Sequence, residues 1–222
     1  MASLQCKPLW CQFCYSPQRE SKMARRRLLT GDERRRLFDP PVQETAIIGH
    51  YTLSAEDVEL VGRRYGPANR LGLAAQIALM RHPGFGLQPE IGLPDVILQY
   101  LAAQLFVDPS SFSAYGQRAQ TRTDHADLVA RYLGIRPFRR GDLALALNLA
   151  AQAAEYTDRG EPIVRALMVG LKGERFILPS GDTLERAGLA GRARASTSTP
   201  SAQRSMRHCS RTCLRWAGRI SA

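Results

Sequence analysis

Four groups of polar side chains in this sequence have the types and spacing to grip a polyanion. Arg25, Arg26 and Arg27 with Arg34, Arg35 and Arg36 put six arginines within twelve residues. Guanidinium forks suit phosphate oxygens, although such a run also reads as a solvated arm. The second group is Arg63-Arg64-Tyr65-Gly66-Pro67-Ala68-Asn69-Arg70. Asn69, Gly72 and Gln76 share one side of the helix that follows. The two amides suit an adenine edge, and Gly72 allows close approach. The third runs from Gln117 and Arg118 through Gln120, Thr121, Arg122 and Thr123 to His125. It reads as a polar loop entering a helix, either a seat for phosphate at the helix amides or an ordinary capped loop. The fourth is Arg136-Pro137-Phe138-Arg139-Arg140.

Other chemistry finds little support. No glycine-rich phosphate loop ending in Lys-Ser or Lys-Thr occurs, and no Gly-x-Ser-x-Gly nucleophile turn. Carboxylates stand mostly at helix starts, where the helix dipole accounts for them. His125 borders an inner helical face and reads as a packed or rim histidine. His50 and His82 fall at helix ends. Cys11-Gln-Phe-Cys14 has the spacing of half a zinc site, but the remaining cysteines are Cys6, Cys209 and Cys213, far off in sequence. The expectation is therefore no catalysis by this chain alone, no metal, no cofactor and no small-molecule substrate. A core without cysteine suggests a reducing, cytoplasmic setting. The longest apolar run, Leu143 to Ala154, is interrupted by Asn148 and Gln152, so no membrane association is expected.

The elements that must hold these groups read as helices. Strand-forming runs are scarce, and hydrophobic content is 44 % over 222 residues. Thr30 to Glu33 forms a capping box for a helix to Phe38, stopped by Pro40-Pro41. Gln43 to His50 makes a short turn of helix. Ser54 caps a helix to Tyr65 with Val58, Val61 and Tyr65 as its apolar face. A helix from Ala68 to Arg81 follows the Gly66-Pro67 turn. Helix, short turn with Gly, and helix is the spacing of a helix-turn-helix reader. Leu73 and Met80 on the Asn69 side equally suit a helix buried all round. Further helices are expected from Pro94 to Phe106, Asp108 to Gly116, Thr123 or Asp124 to Leu133, Asp142 to Tyr156 and Pro162 to Leu171. Phe176 to Pro179 is extended, and Ser180 or Asp182 caps a last helix. The expectation is an all-α protein of about eight helices with no parallel-sheet rhythm.

Charge divides the chain into three zones. The formal net charge is +11, yet residues 23–187 hold 21 Lys and Arg against 19 Asp and Glu. Residues 188–222 hold seven arginines and no acid. Residues 1–22 and 188–222 lack periodicity and are expected to be disordered tails. Met23 suits a start, and the basic tail suits a frameshift.

The order of motifs carries a resemblance. Arg26-Arg-Leu-Leu-Thr30 with Glu33, then His50-Tyr-Thr-Leu-Ser54 with Asp57, then Asn69-Arg-Leu-Gly72 with Gln76 and Pro83-Gly84, is similar to the N-terminal region of Tn-three-family transposases. Val107-Asp-Pro109, Gln120-Thr-Arg122 with His125, Tyr132-Leu-Gly134, Arg136-Pro-Phe138, Thr157-Asp-Arg-Gly160 and Thr183-Leu-Glu-Arg186 continue it over about residues 23–187. The resemblance implies a helical module that binds double-stranded DNA at a transposon's terminal inverted repeats. It implies a catalytic acidic triad in a later RNase-H-like domain, and association with other transposase chains on bacterial DNA. The arginines above, with Asn69, Gln76, Gln120, Thr121 and His125, are then the expected DNA contacts. A helical protein-interaction module and a functionless remnant are the alternatives.

Overall fold

Start and stop signals in the sequence become the ends of helices. The computed structural model describes residues 27–87 and 93–198. Thr30 Oγ1 accepts from the Glu33 amide at 3.3 Å, and the Glu33 carboxylate accepts from the Thr30 amide at 2.7 Å. That reciprocal cap opens α1 (Gly31–Phe38). After α2 (Glu44–Tyr51), Ser54 and Asp57 repeat the device for α3 (Ala55–Gly62). Pro67 occupies the first turn of α4 (Pro67–Arg81), where its missing N–H costs nothing. Then come α5 (Asp95–Leu105), a 3-10 turn over Pro109–Ala114, and α6 (Ala119–Leu133), closed by Gly134 in the left-handed region. A 3-10 turn over Arg140–Asp142 leads into α7 (Leu143–Tyr156), followed by α8 (Gly160–Gly173) and α9 (Gly181–Ser198).

The all-α expectation is met. One feature departs from it: β1 (Arg136–Pro137) pairs in parallel with β2 (Phe176–Ile177), and Phe85 bridges to Leu178 beside them. Three extended segments thus tie the molecule together at one seam.

Two apolar assemblies meet at that seam. In the first, α2, α3, α5 and α6 surround α4, with Leu71, Leu73 and Ile77 of α4 fully buried. Each such side chain stabilises the fold by about 1.5–3 kcal/mol. In the second, α1 joins α7, α8 and α9 through Leu29, Leu37, Ala150, Ile163, Leu167 and Leu184. The chain's first described helix thus packs with its last three, and α2–α6 form an excursion between them.

Several expectations need correction. Every residue of α4 from Leu71 to Met80 is buried, so α4 organises the core and presents its first turn and Arg81 to solvent. It does not have the open face of a recognition helix. In α3 the buried pair is Asp57 and Val61, four residues apart, while Val58 and Tyr65 face outward. The segment after Asp108 winds as a 3-10 turn, its first amide held by the Asp108 carboxylate. α6 begins at Ala119, not Thr123, which puts Gln120, Thr121 and Arg122 in its first turn. The last helix runs past residue 187 to Ser198 and packs closely on α7, with Gly191 lying on Ala150.

Asp57 lies at the centre of the α3–α4–α6 packing. Its carboxylate takes the Ser54 amide, both Arg81 Nη atoms (Nη2 at 2.7 Å) and the Tyr132 hydroxyl at 2.8 Å. Burial works to raise its pKa, but the Arg81, Ser54 and Tyr132 hydrogen bonds prevail and hold it below the usual carboxylate range.

Candidate nucleic-acid interface

The turn between α3 and α4 is built to stand rigidly. Gly66 sits at φ 82°, a conformation that side chains resist, and Pro67 then fixes the entry into α4. The Arg64 amide donates to the Val61 carbonyl at 3.0 Å. Asn69 Nδ2 donates back to the Tyr65 carbonyl at 3.0 Å, and Arg70 Nε to the Arg64 carbonyl at 2.9 Å. The Asn69 amide therefore spends one of its two N–H donors on the turn, while Arg70 is exposed.

The start of α6 is locked to the same region from inside. Gln76, 2 % exposed, donates through Nε2 to the Tyr115 hydroxyl at 2.8 Å and to the Arg122 carbonyl at 3.0 Å. The Tyr115 hydroxyl also shares a hydrogen bond of 3.1 Å with His125 Nδ1. Burial, reinforced by the nearby Arg64 charge, pushes the His125 pKa down. Burial also lifts the Tyr115 phenol to about 12. Gln76 is thus an internal brace of the site, and His125, 6 % exposed, joins that brace at the edge of a cavity. A cavity of about 400 Å³ opens between the turn and α6, lined by Arg64, His125, Leu128 and Arg131 with Asp124 and Asp127.

The arginines differ in how they are already engaged. Arg34 is taken by Glu185 and by Asp182, the latter at 3.1 Å, so it ties α1 to α9. Arg35 pairs with Asp32, Arg36 with Glu161 and Arg63 with Glu59. Arg136 stacks 3.8 Å above the Phe176 ring and pairs with Asp142. By contrast Arg64, Arg70, Arg118, Arg122 and Arg131 make no ion pair among the described residues. Arg64 of the second group lies near His125 of the third, in a cavity it shares with Arg131, Asp124 and Asp127, while Arg118 and Arg122 stand at the start of α6. Arg139 and Arg140 are exposed beyond the other end of α6, about 20 Å away along its axis. Gln120 bonds Asp124 at 2.7 Å, and Thr121 is half-buried in the first turn. Arg27 is exposed just before α1, and Arg25 and Arg26 lie outside the described residues, as do all five cysteines. Among the described residues no group of His, Cys, Asp and Glu is placed to hold a metal, and no helix is long and apolar enough to cross a membrane.

Sequence reasoning passed over two groupings. His50 and His82 stack in parallel with ring centroids 3.8 Å apart. Tyr65, counted as an inward residue, projects from the basic turn. The charge on both sides of Tyr65 was the available signal.

A helical domain with a rigid arginine-bearing turn is the class these observations define. The family described as a domain of unknown function, DUF4158, matches residues 28–190, and the chain belongs to it. The chain is 34 % identical over 174 residues to the transposase for transposon Tn501 of Pseudomonas aeruginosa. It is 35 % identical over 175 residues to the transposase for transposon Tn21 of Escherichia coli, and 31 % over 175 residues to that for transposon Tn1546 of Enterococcus faecium. Each alignment covers 78 % of this chain and 18 % of the relative, so the chain spans about a fifth of their length. The resemblance to Tn-three-family transposases drawn from the motif order holds.

Proposed function

We propose that this chain acts in DNA transposition as a duplex-binding domain that recognises transposon ends, working in the bacterial cytoplasm alongside the catalytic parts of a transposase. One observation carries the reading: Arg64 and Arg70 on a braced turn, and Arg118, Arg122 and Arg131 on the neighbouring α6, make no ion pair among the described residues, in a chain similar to transposases. Unpaired guanidinium groups on a rigid frame release DNA counterions at little ordering cost. With α4 buried, contact comes from the turn and the start of α6, and Asn69 offers its carbonyl oxygen and its remaining N–H. Residues 23–187 with the continuation of α9 are the proposed domain.

Fluorescence anisotropy with a labelled duplex of the terminal repeat flanking the chain's own gene tests this. A scrambled duplex serves as control, at several salt concentrations. Tighter binding to the true end, weakening with salt, is expected. Arg70→Ala and Arg122→Ala should each weaken binding to both duplexes and lower the salt slope by about one. A folded protein that binds neither duplex at low salt would sink the proposal.

The alternative of a protein-interaction module has its own support. A cavity of about 660 Å³ between α1, the link after it, His82-Pro83 and α8 exposes Val42 and Val169 beside Lys172. Failure of DNA binding with retained association to other transposase segments would favour it.

A further inference from the structure

Among the exposed large side chains, Tyr65 is distinctive in its setting. Its ring is 94 % exposed, in the turn between Arg64 and Gly66. Phe106 (96 %) and Tyr156 (89 %) are as open, but Phe106 is followed by Val107 and Asp108, and Tyr156 lies between Glu155 and Thr157-Asp158. Tyr65 alone of the three has cations without ion pairs beside it: the exposed Arg70, bound back to the Arg64 carbonyl, and the half-buried Arg64, which lines the cavity against α6. The turn that carries the ring is fixed. Its backbone is held by the Arg64-to-Val61 and Asn69-to-Tyr65 hydrogen bonds and by the fixed dihedrals of Gly66 and Pro67. A large apolar ring kept in water by a preformed frame gains on burial and loses little freedom.

We propose that Tyr65 is a DNA-contacting residue. Its ring packs into a groove of the duplex against deoxyribose and base edges, while Arg64 and Arg70 take phosphates on either side. The inference rests on the DNA-binding reading above and adds an apolar contact to its electrostatic one. The ring supplies the contact, and the hydroxyl stays in water, as the amphipathic character of tyrosine allows.

The test uses the full chain and the same labelled end duplex across a salt series. Tyr65→Ala is expected to bind about tenfold more weakly at every salt concentration, with a slope parallel to wild type, because no phosphate contact is lost. Tyr65→Phe is expected to bind as wild type does. Thermal unfolding of both variants should match wild type, since the ring supports no core. Unchanged affinity in Tyr65→Ala would overturn the inference and leave the arginine reading standing. So would an equal loss in Tyr65→Phe, or a slope lowered by about one in Tyr65→Ala. Wild-type protein that binds no duplex at all would remove both proposals together.

Discussion

At the scale of single residues, the molecule's charges divide into those that hold it and those left over. Asp57 is wholly buried and satisfied by Arg81, Ser54 and Tyr132. Arg81→Met leaves that carboxylate buried without its cation, and urea denaturation should show a loss of about 3 kcal/mol. His82 gives a pH signature. Burial, then the charges of His50 and Lys172, push its pKa from 6.5 down to about 4. The unfolded chain accepts a proton there near pH 6.5 that the folded chain refuses until about pH 4. Stability is therefore complete above pH 6.5 and falls as the pH drops toward 4, while Asp57, held low, stays ionised. Thermal midpoints at pH 7 and pH 5 should differ in wild type and differ less in His82→Phe, which keeps a ring on His50 without the titration. His125, also pushed down by burial, adds to the slope that remains.

At the scale of elements, what was legible in the sequence was what is local. Thr30 with Glu33, Ser54 with Asp57 and Gly134 mark ends that depend on residues three or four apart. The start of α6 was misread because Arg118 precedes it with no side-chain cap, whereas Thr123 and Asp124 imitate one. Gln76 looked like a base reader because its partners, Tyr115 and the Arg122 carbonyl, stand 39 and 46 residues away. Tyr65 looked like an inward residue because helical spacing was extended past Gly62, where α3 ends. The packing of α4 on the Pro109–Ala114 turn is equally non-local. A Cβ on Gly72 would lie 2.2 Å from the Tyr115 ring. Gly72→Ala should therefore displace that ring, cost about 1–3 kcal/mol in urea and loosen the brace behind Arg122.

At the scale of the whole molecule, the two apolar assemblies share a seam of backbone pairing. Leu178 donates to Gly84 at 2.9 Å and Arg136 to Arg175 at 2.8 Å. That sharing predicts a single transition. Leu167→Ala, in the assembly of α1 and α7–α9, should cost about 2–5 kcal/mol. It should also lower the urea midpoint equally by far-ultraviolet dichroism and by near-ultraviolet signals of Tyr51 and Tyr115, which belong to the α4 side. Separate midpoints would show that the two assemblies unfold independently. The net charge misleads at this scale, since most of the excess belongs to residues 188–222 while the candidate interface draws on five arginines in a nearly neutral body.

The partnership of α1 with α7–α9 also sets an order of events on the ribosome. Residues of α2–α6 emerge in one continuous stretch and can close around α4 as soon as α6 is free. α1 is made first, yet its surroundings are completed only when α9 appears more than 140 residues later. At bacterial elongation speeds that delay is on the order of ten seconds. For that time Leu29 and Leu37 await their partners on a nascent chain, exposed to whatever chaperone waits at the tunnel exit.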